Sequence, residues 1–401
     1  MHVVINAQLD PEQAGGIAQV IAGLAHGLGR LCEHDAFTFV CSPRSAEWLR
    51  SYDTGATRIV VNEKTTPGPR RGLRISDGFW ESFNPDVLHF PYQACTRTDV
   101  PTVFNPHDLL HVHFPEFFSD EERERRESML GEACQQAAVV AVASGWVRQD
   151  VTRHYSLDAD KVRVIAWGAP SALSSAPIPS EVDEVLRSFQ LARGFAFFPA
   201  QTWPHKNHAR LLEAITLLRD ELGVRVPLVC TGTLTDHADS LQRRTHELRL
   251  DGQTRWLGRV GDRPLTALYR AARLVVVPSL FEAASFPVME AFDQGVPVAC
   301  SRVTSLPEQA GDAALLFDPE DARDIARAIL TLWRNEPLRQ SMIDRGRRRA
   351  AQYSWDATAR AYVDLYQVAL KRRHGTATQQ TVPWRNPNDK FVSESPIGAP
   401  T

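Results

Sequence analysis

Glu282 and Glu290 stand eight positions apart in LVVVPSLFEAASFPVMEAFDQGVPVACSRVTSLPE, the stretch from Leu274 to Glu308. Pro287 lies between them, where a helix would begin, and Gly295 lies where it would end. Proline is pre-set for the first helical position and glycine for the one past the last turn. Apolar runs flank the pair, Leu274 to Val277 before it and Pro297 to Cys300 after it, so the whole reads as strand, loop, helix and strand. A helix N-terminus above a parallel sheet suits phosphate, and a carboxylate there can accept two hydroxyls of a ribose or a hexose. The same spacing also describes an ordinary βαβ unit with surface carboxylates, so the rest of the chain has to decide between them.

The stretch resembles the donor-site signature of the retaining family 4 glycosyltransferases, also called glycosyl transferases group 1, which have the GT-B fold. That signature is Glu, seven residues and Glu, with Pro three before the second; Glu282, Pro287 and Glu290 fit it. It departs in the loop. Ala283, Ala284 and Ser285 stand where many members have Gly-Phe-Gly, which keeps the backbone N–H groups but makes positive φ harder to reach. The resemblance implies that Glu290 holds the ribose, and that Glu282 with the backbone of Ala283, Ala284, Ser285 and Phe286 surrounds the transferred sugar.

Other segments extend the match. Lys206, in QTWPHKN, resembles the family's diphosphate-binding lysine, a compact cation for a leaving group that gains negative charge. Gln201 occupies the place of the arginine usual five residues earlier, so one positive charge is missing. Read without the family, Lys206 is an exposed side chain beside Asn207, an expected helix N-cap. Asn105 to Asp108, NPHD, ends a strand; by resemblance His107 lies over the reacting sugar. The other reading is a turn aspartate and a satisfied core histidine. Gly15 and Gly16 follow the first strand and precede an amphipathic helix, and in the family this loop faces the donor, with Gly16 allowing close backbone approach. Arg259 and Val260 resemble the loop that touches the nucleotide base. The expected catalytic set is Glu282, Lys206 and His107. Gly16, Gln201, Arg259, Val260, Ala283, Ala284, Ser285, Phe286 and Glu290 are the expected donor contacts. Asp158-Ala-Asp160 has metal-binding D-x-D spacing but follows a helix instead of ending an apolar strand, and reads as a solvated turn. The expectation is therefore a metal-independent reaction with no cofactor, the nucleotide sugar being a co-substrate.

Positioning these groups requires alternating strands and helices. The expected strands of the first half are Val3 to Asn6, Phe37 to Cys41, Val87 to Phe90, Thr102 to Asn105, Val139 to Ala143 and Val162 to Ala166. In the second half they are Ala196 to Pro199, Leu228 to Thr231, Arg255 to Leu257, Leu274 to Val277 and Val298 to Cys300. Ser119 to Glu122 reads as a capping box, Ser144 as an N-cap, and His208 to Leu218 as a helix with Leu211, Leu212, Ile215 and Leu218 on one face. This alternation means parallel sheets with crossover helices. The resemblance makes it an α/β chain of the GT-B fold: two Rossmann-like domains facing across a cleft, with a C-terminal helix returning to the first. The expected division is an acceptor domain at 1–170, a linker at 171–190, a donor domain at 191–352, the returning helix at 353–370 and a disordered tail at 371–401.

At 401 residues the chain is long enough for two domains, and 43% hydrophobic residues suffice for their cores. A net charge of −3 argues against a nucleic-acid partner, which would call for a basic stripe. No run of eighteen apolar residues occurs, so a cytoplasmic protein is expected, with membrane contact at most peripheral at the inner face. The six cysteines are scattered with no C-x-x-C, the pattern of buried thiols in a reducing compartment. The expected function is transfer of a hexosyl unit, mannosyl as the looser expectation, from a nucleotide-diphospho-sugar to a hydroxyl of a sugar or lipid-linked sugar. Retention at the anomeric carbon and a place in surface polysaccharide or glycolipid synthesis complete the reading. A nucleotide-sugar epimerase of the same fold, or a non-catalytic nucleotide-sugar-binding scaffold, is the alternative.

Overall fold

Seven short apolar runs of the first half pair in parallel: β1 (His2–Ala7), β2 (Ala36–Cys41), β3 (Arg58–Val61), β4 (Val87–Phe90), β5 (Thr102–Phe104), β6 (Val139–Val142) and β7 (Val162–Val164). Their order across the sheet is β3-β2-β1-β4-β5-β6-β7. A second parallel sheet follows, built from β8 (Ala196–Pro199), β9 (Leu228–Thr231), β10 (Thr254–Trp256), β11 (Leu274–Val277), β12 (Val298–Ser301) and β13 (Ala314–Phe317) in the order β10-β9-β8-β11-β12-β13. The computed structural model describes residues 1–12, 14–31, 35–52, 55, 57–63, 71–173 and 176–375.

Each sheet is buried on both faces, which is why its central strands read as unbroken apolar runs. One face of the first sheet packs Val3, Ile5, Phe37, Phe39 and Val103 under helix Gly16–Leu31; the other packs Val4, Leu88, Phe104 and Val140 under helices Asp120–Gln136 and Gly145–His154. The second sheet does the same with Phe197, Val275 and Val298 on one side and Phe198, Leu228 and Val276 on the other. Strand order reverses between β1 and β4 and between β8 and β11. In such sheets the crevice beyond the strands' carboxyl ends at that reversal is where ligands bind.

Helix Trp355–Gly375 crosses back onto the first domain and lies along helix Gly16–Leu31. Trp355 is its anchor: the indole Nε1 donates to the Ala169 carbonyl at 3.0 Å, and Thr358 Oγ1 donates to Ala166 O at 2.8 Å. Two glycines make the crossing possible. A Cβ on Gly23 would lie 2.2 Å from the Trp355 ring, and one on Gly27 would lie 2.5 Å from the Trp355 carbonyl oxygen.

The expected strands form within a residue or two. Sequence reading missed β3 and β13, the outer edges of the two sheets, where partial exposure blurs the apolar signal. It also missed a two-residue ladder between Arg74–Ile75 and Thr96–Arg97. Helix Pro179–Ser188 lies inside the stretch expected as linker, and its Val182 and Leu186 pack with Phe197 and Val229 in the second domain. Pro179, inside the expected linker, is the helix's first residue. The returning helix continues past Leu370 to Gly375, and the rest of the expected tail, 376–401, lies outside the described residues. Ser119 and Ser144 cap as expected, accepting from the N–H groups of Glu122 and Val147 at 3.2 Å each. The Ser119 box is only half made, because the Glu122 carboxylate turns to Arg125 and Arg126.

Candidate active site

The loops that leave the carboxyl ends of β1, β8 and β11 meet in the cleft between the domains. Beyond β8 the chain turns through Gln201 to Lys206; beyond β11 it passes Pro278, Ser279 and Glu282 before helix Phe286–Asp293. Lys206 Nζ donates to Glu282 Oε1 at 2.7 Å, and Ser279 Oγ donates to the same oxygen at 2.7 Å. The carboxylate side chain is 8% exposed and the lysine 21%. Backbone bonds fix it further. Glu282 N–H donates to Thr304 Oγ1 at 3.1 Å, and its carbonyl accepts from Thr304 Oγ1 at 2.8 Å and Ser305 Oγ at 2.7 Å. A buried charge held by this many donors has one orientation.

Asn207 sits at the N-cap position of helix His208–Asp220 but does not cap it. Its backbone is left-handed (φ 63°), and its side-chain amide instead donates to the carbonyls of Pro278 at 3.0 Å and Pro319 at 2.9 Å. The expected cap is thus a tie between the two loops that carry Lys206 and Glu282.

Glu290 lies one turn into helix Phe286–Asp293, which Pro287 opens and Gly295 (φ 69°) follows. It is buried, and its Oε2 accepts from the Tyr269 hydroxyl at 2.8 Å. Burial raises its carboxyl to about 8, which the Tyr269 hydrogen bond only partly opposes. Glu290 and Glu282 therefore differ in partner as well as position: a phenol for one, an ammonium and a hydroxyl for the other.

In the departing loop, Ser285 N–H donates to Gln309 Oε1 at 2.8 Å and its carbonyl accepts from Gln309 Nε2 at 2.9 Å. That amide is already committed, as is that of Glu282. Ser285 Oγ is buried and has no hydrogen-bond partner among the described residues. Ala284 and Phe286 pack against the first domain's core beside Trp167 and Trp355, and Ala283 against its opposite face.

From the first domain, Gly15 and Gly16 reach the same place. A Cβ on Gly15 would lie 3.4 Å from Gln201 Nε2, and one on Gly16 3.3 Å from the Phe286 ring. Gln201, where a cation was missing, is occupied locally: its Oε1 accepts from Trp203 Nε1 at 2.7 Å. His107 has a left-handed backbone (φ 64°), and its Nε2 donates to Pro91 O at 2.8 Å, which leaves Nδ1 as the acceptor nitrogen. Burial lowers its pKa, so the ring is neutral. Its ring packs on Trp167 at 5.7 Å, and Trp167 stacks on Phe286 at 5.7 Å, so one aromatic column crosses the cleft. Asp108 is a turn residue whose Oδ1 accepts from Leu110 N–H. Arg259 is half exposed and lies 3.9 Å from Glu12 across the cleft, while Val260 packs into the second domain's core.

The structure therefore brings Lys206, Glu282, Gln201, Gly16, Phe286 and His107 to one cleft, with Glu290 behind the loop on Tyr269. Sequence reading did not find Ser279, Thr304, Ser305, Tyr269 or Gln309. Thr304 and Ser305 stand just beyond β12, a strand-end position that was a usable signal; Tyr269, on helix Asp262–Ala271, offered none. Asp158 and Asp160 form the expected turn, with Asp158 Oδ1 accepting from Asp160 N–H at 3.1 Å. Among the described residues no group of three or more His, Cys, Asp or Glu is placed to hold a metal ion.

Residues 188–349 match the family model of the glycosyl transferases group 1, and residues 14–171 match that of glycosyltransferase family 4. The O-antigen chain mannosyltransferase B of Escherichia coli is 34% identical over 263 residues, 65% of this chain and 69% of that protein. A D-inositol 3-phosphate glycosyltransferase of Corynebacterium glutamicum (strain R) is 29% identical over 405 residues, 92% of this chain and 96% of that protein. Among solved structures, Anabaena HepE in complex with UDP and glucose superposes with a TM-score of 0.71 at 16% identity, over 92% of this chain and 99% of that one; at that identity the likeness speaks for the fold.

Proposed function

This chain belongs to the group 1, family 4 glycosyltransferases, and on that premise we propose that it moves a mannosyl unit from a nucleotide-diphospho-sugar to a sugar hydroxyl, with retention, in surface polysaccharide synthesis. The observation that carries the reading is the Lys206–Glu282 pair, fixed beyond the carboxyl ends of the second sheet's strands, on the loop whose Phe286 meets Gly16 and Trp167 of the first domain. Mannosyl is supported by the name of the Escherichia coli relative, an O-antigen chain mannosyltransferase.

In this reading Glu290 accepts the ribose hydroxyls, Arg259 and Val260 flank the base, and Lys206 meets the diphosphate. Glu282 and the loop from Ala283 to Phe286 surround the hexose. Ser285 Oγ, buried without a partner, supports a polar ligand group there, since an unsatisfied buried hydroxyl is costly. The transition state is a sugar cation parting from an anionic diphosphate. Fixed dipoles and a cation on the diphosphate carry most of such catalysis. The bond between the anomeric carbon and the phosphate oxygen breaks, the acceptor oxygen bonds to that carbon on the same face, and its proton passes to the departing phosphate oxygen. His107, whose basicity burial lowers, offers its acceptor Nδ1 to a hydrogen bond from a sugar hydroxyl.

Lys206 and backbone dipoles do the charge work in this proposal; the nucleotide sugar is a co-substrate, and no resident cofactor takes part. No described helix is long and apolar enough to cross a membrane. A lipid-linked sugar as acceptor would be met at the inner face by peripheral contact, from a cytoplasm in which the described cysteines, all free, stay reduced.

The test is thermal stabilisation by GDP, UDP, ADP and dTDP with their common sugar conjugates, with and without EDTA. At a hundred times its dissociation constant a ligand that binds only the native state contributes about 2.7 kcal/mol. One nucleotide should stand out in both buffers, and its mannosyl conjugate should yield α-linked product with a saccharide acceptor. Loss of the stabilisation in EDTA would overturn the metal-independent part, and product without an acceptor would point to an epimerase.

A further inference from the structure

Phe281, the residue just before Glu282, is 3% exposed, yet the rings that cover it belong to the other domain. Its centroid lies 5.4 Å from His113, 5.5 Å from Trp146 and 6.3 Å from Phe114. His113 is held in place by Asp150, whose carboxylate oxygens lie 2.9 and 3.0 Å from its Nε2. Asp150 and Trp146 share helix Gly145–His154.

The same helix grips the loop on its other side. The N–H groups of Gly145 and Trp146 donate to Glu308 Oε1 at 2.8 Å and Oε2 at 3.1 Å. Glu308 lies three residues past Ser305, which with Thr304 holds the carbonyl of Glu282. Thus the first turn of a first-domain helix touches the chain just before Glu282 through an aromatic contact. It touches the chain that braces Glu282 through a carboxylate. Both contacts exist only when the domains are closed, because every bond in them crosses the cleft.

We propose that Phe281 is a positioning residue, and that its seating between His113 and Trp146 makes the alignment of Glu282 depend on domain closure. This rests on the reading of Glu282 as a residue that faces the donor sugar. The physical reason is leverage. Glu282 is fixed within its own domain by Lys206, Ser279, Thr304 and Ser305, and each of those bonds is short and directional. A loop anchored so tightly transmits a displacement of Phe281 directly to the next residue. Ring contact with the first domain then distinguishes open from closed. As the domains part, the covalent neighbour of Glu282 loses its seat, and Glu308 releases the segment whose Thr304 and Ser305 hold the Glu282 carbonyl. The loop that carries the carboxylate therefore loosens.

Trp146→Ala is the primary test, because Trp146 lies outside the donor domain. Hydrogen exchange of the peptide 279–286 should accelerate by about tenfold or more in the variant, as expected when a local closing contact is lost. Turnover should fall by about tenfold or more, the scale of a small misplacement at a reacting centre. The dissociation constant of the stabilising nucleoside diphosphate should stay within about twofold, since its expected contacts lie elsewhere. Phe281→Ala should repeat this pattern, and the double variant should lose no more than either single one. Phe281→Leu, which keeps apolar volume and removes the ring, serves if Trp146→Ala does not fold. Unchanged exchange, a loosened loop with normal turnover, or additive losses in the double variant would each overturn the proposal. Near-normal turnover of Glu282→Ala would instead overturn the site reading, and this inference with it.

Discussion

Lys206 and Glu282, seventy-six positions apart in sequence, are joined in a single ion pair of 2.7 Å at the floor of the cleft. Neither is free to serve alone. A diphosphate arriving at Lys206 shares it with a carboxylate already fixed by Ser279, and Gln201 adds no second cation. The loss of one positive charge from the usual pattern is therefore felt more strongly than the sequence suggests.

Removing one member of this pair should cost both stability and rate. Lys206→Met leaves a buried carboxylate with fewer donors, at a cost on the order of 2 kcal/mol, and turnover should fall at least about tenfold. Glu282→Gln should likewise lower turnover. The double variant Lys206→Met, Glu282→Gln should recover most of the melting temperature and none of the activity. Calorimetry beside initial rates reads both; a double variant as unstable as Lys206→Met would mean that the pair is not the stabilising unit.

Gly16→Val should leave the fold intact and block closure. A Cβ alone would lie 3.3 Å from the Phe286 ring, tighter than an ordinary contact, and valine adds two methyls beyond it. Turnover should drop by about tenfold or more while the nucleotide still binds. Small-angle scattering should show a more open particle than the wild type in saturating nucleotide; an equally compact and active variant would show that the loop is not at the closing surface.

Nucleotide affinity should rise with pH toward 8. Burial holds Glu290 near 8, above the ordinary carboxyl value of 4.5, so it is largely protonated at neutrality. Two ribose hydroxyls donate to the ionised form, and binding therefore releases a proton. Affinity should climb by up to about tenfold per pH unit below 8 and flatten above it. Titration calorimetry between pH 6 and 9 measures this, and Glu290→Gln should remove the slope. For stability without ligand the sign is reversed: Glu290's contribution is complete below 4.5 and is lost as pH rises through 8.

Acid stability should depend on Glu127. Burial alone would raise its pKa, but hydrogen bonds from His111 at 3.1 Å and His154 at 2.9 Å hold it at about 2. A carboxyl depressed on folding contributes stability that is present above its unfolded value of 4.5. That stability, up to about 3 kcal/mol, disappears as pH falls from 4.5 to 2. The melting-temperature gap between wild type and Glu127→Gln should be full above pH 4.5 and close as the pH falls to about 2. A gap constant with pH would show that the carboxylate's charge is not what His111 and His154 stabilise.

Much of this protein is legible in one dimension because its chemistry sits at strand ends. The apolar runs of β1, β5, β8 and β11 announce themselves, and it was the family resemblance that singled out Gly16, His107, Lys206 and Glu282 among the residues past their ends. The capping serines could be read without it, since a cap is a contact within four residues. Strands β3 and β13 were missed; both are partly exposed along their length.

What the sequence by itself determined is therefore local: two parallel sheets, their helices, and the residue types offered to the cleft. Tertiary structure alone decided the partners. That Lys206 would be spent on Glu282, that Asn207 would tie two loops instead of capping a helix, and that Tyr269 would meet Glu290 all depend on loops brought together by strand order. Phe281 against Trp146 depends on more, the meeting of two domains. Periodicity encodes which face of an element is buried, but a contact between distant loops leaves no period, and its energy exists only once the sheets have placed both ends within a few ångströms.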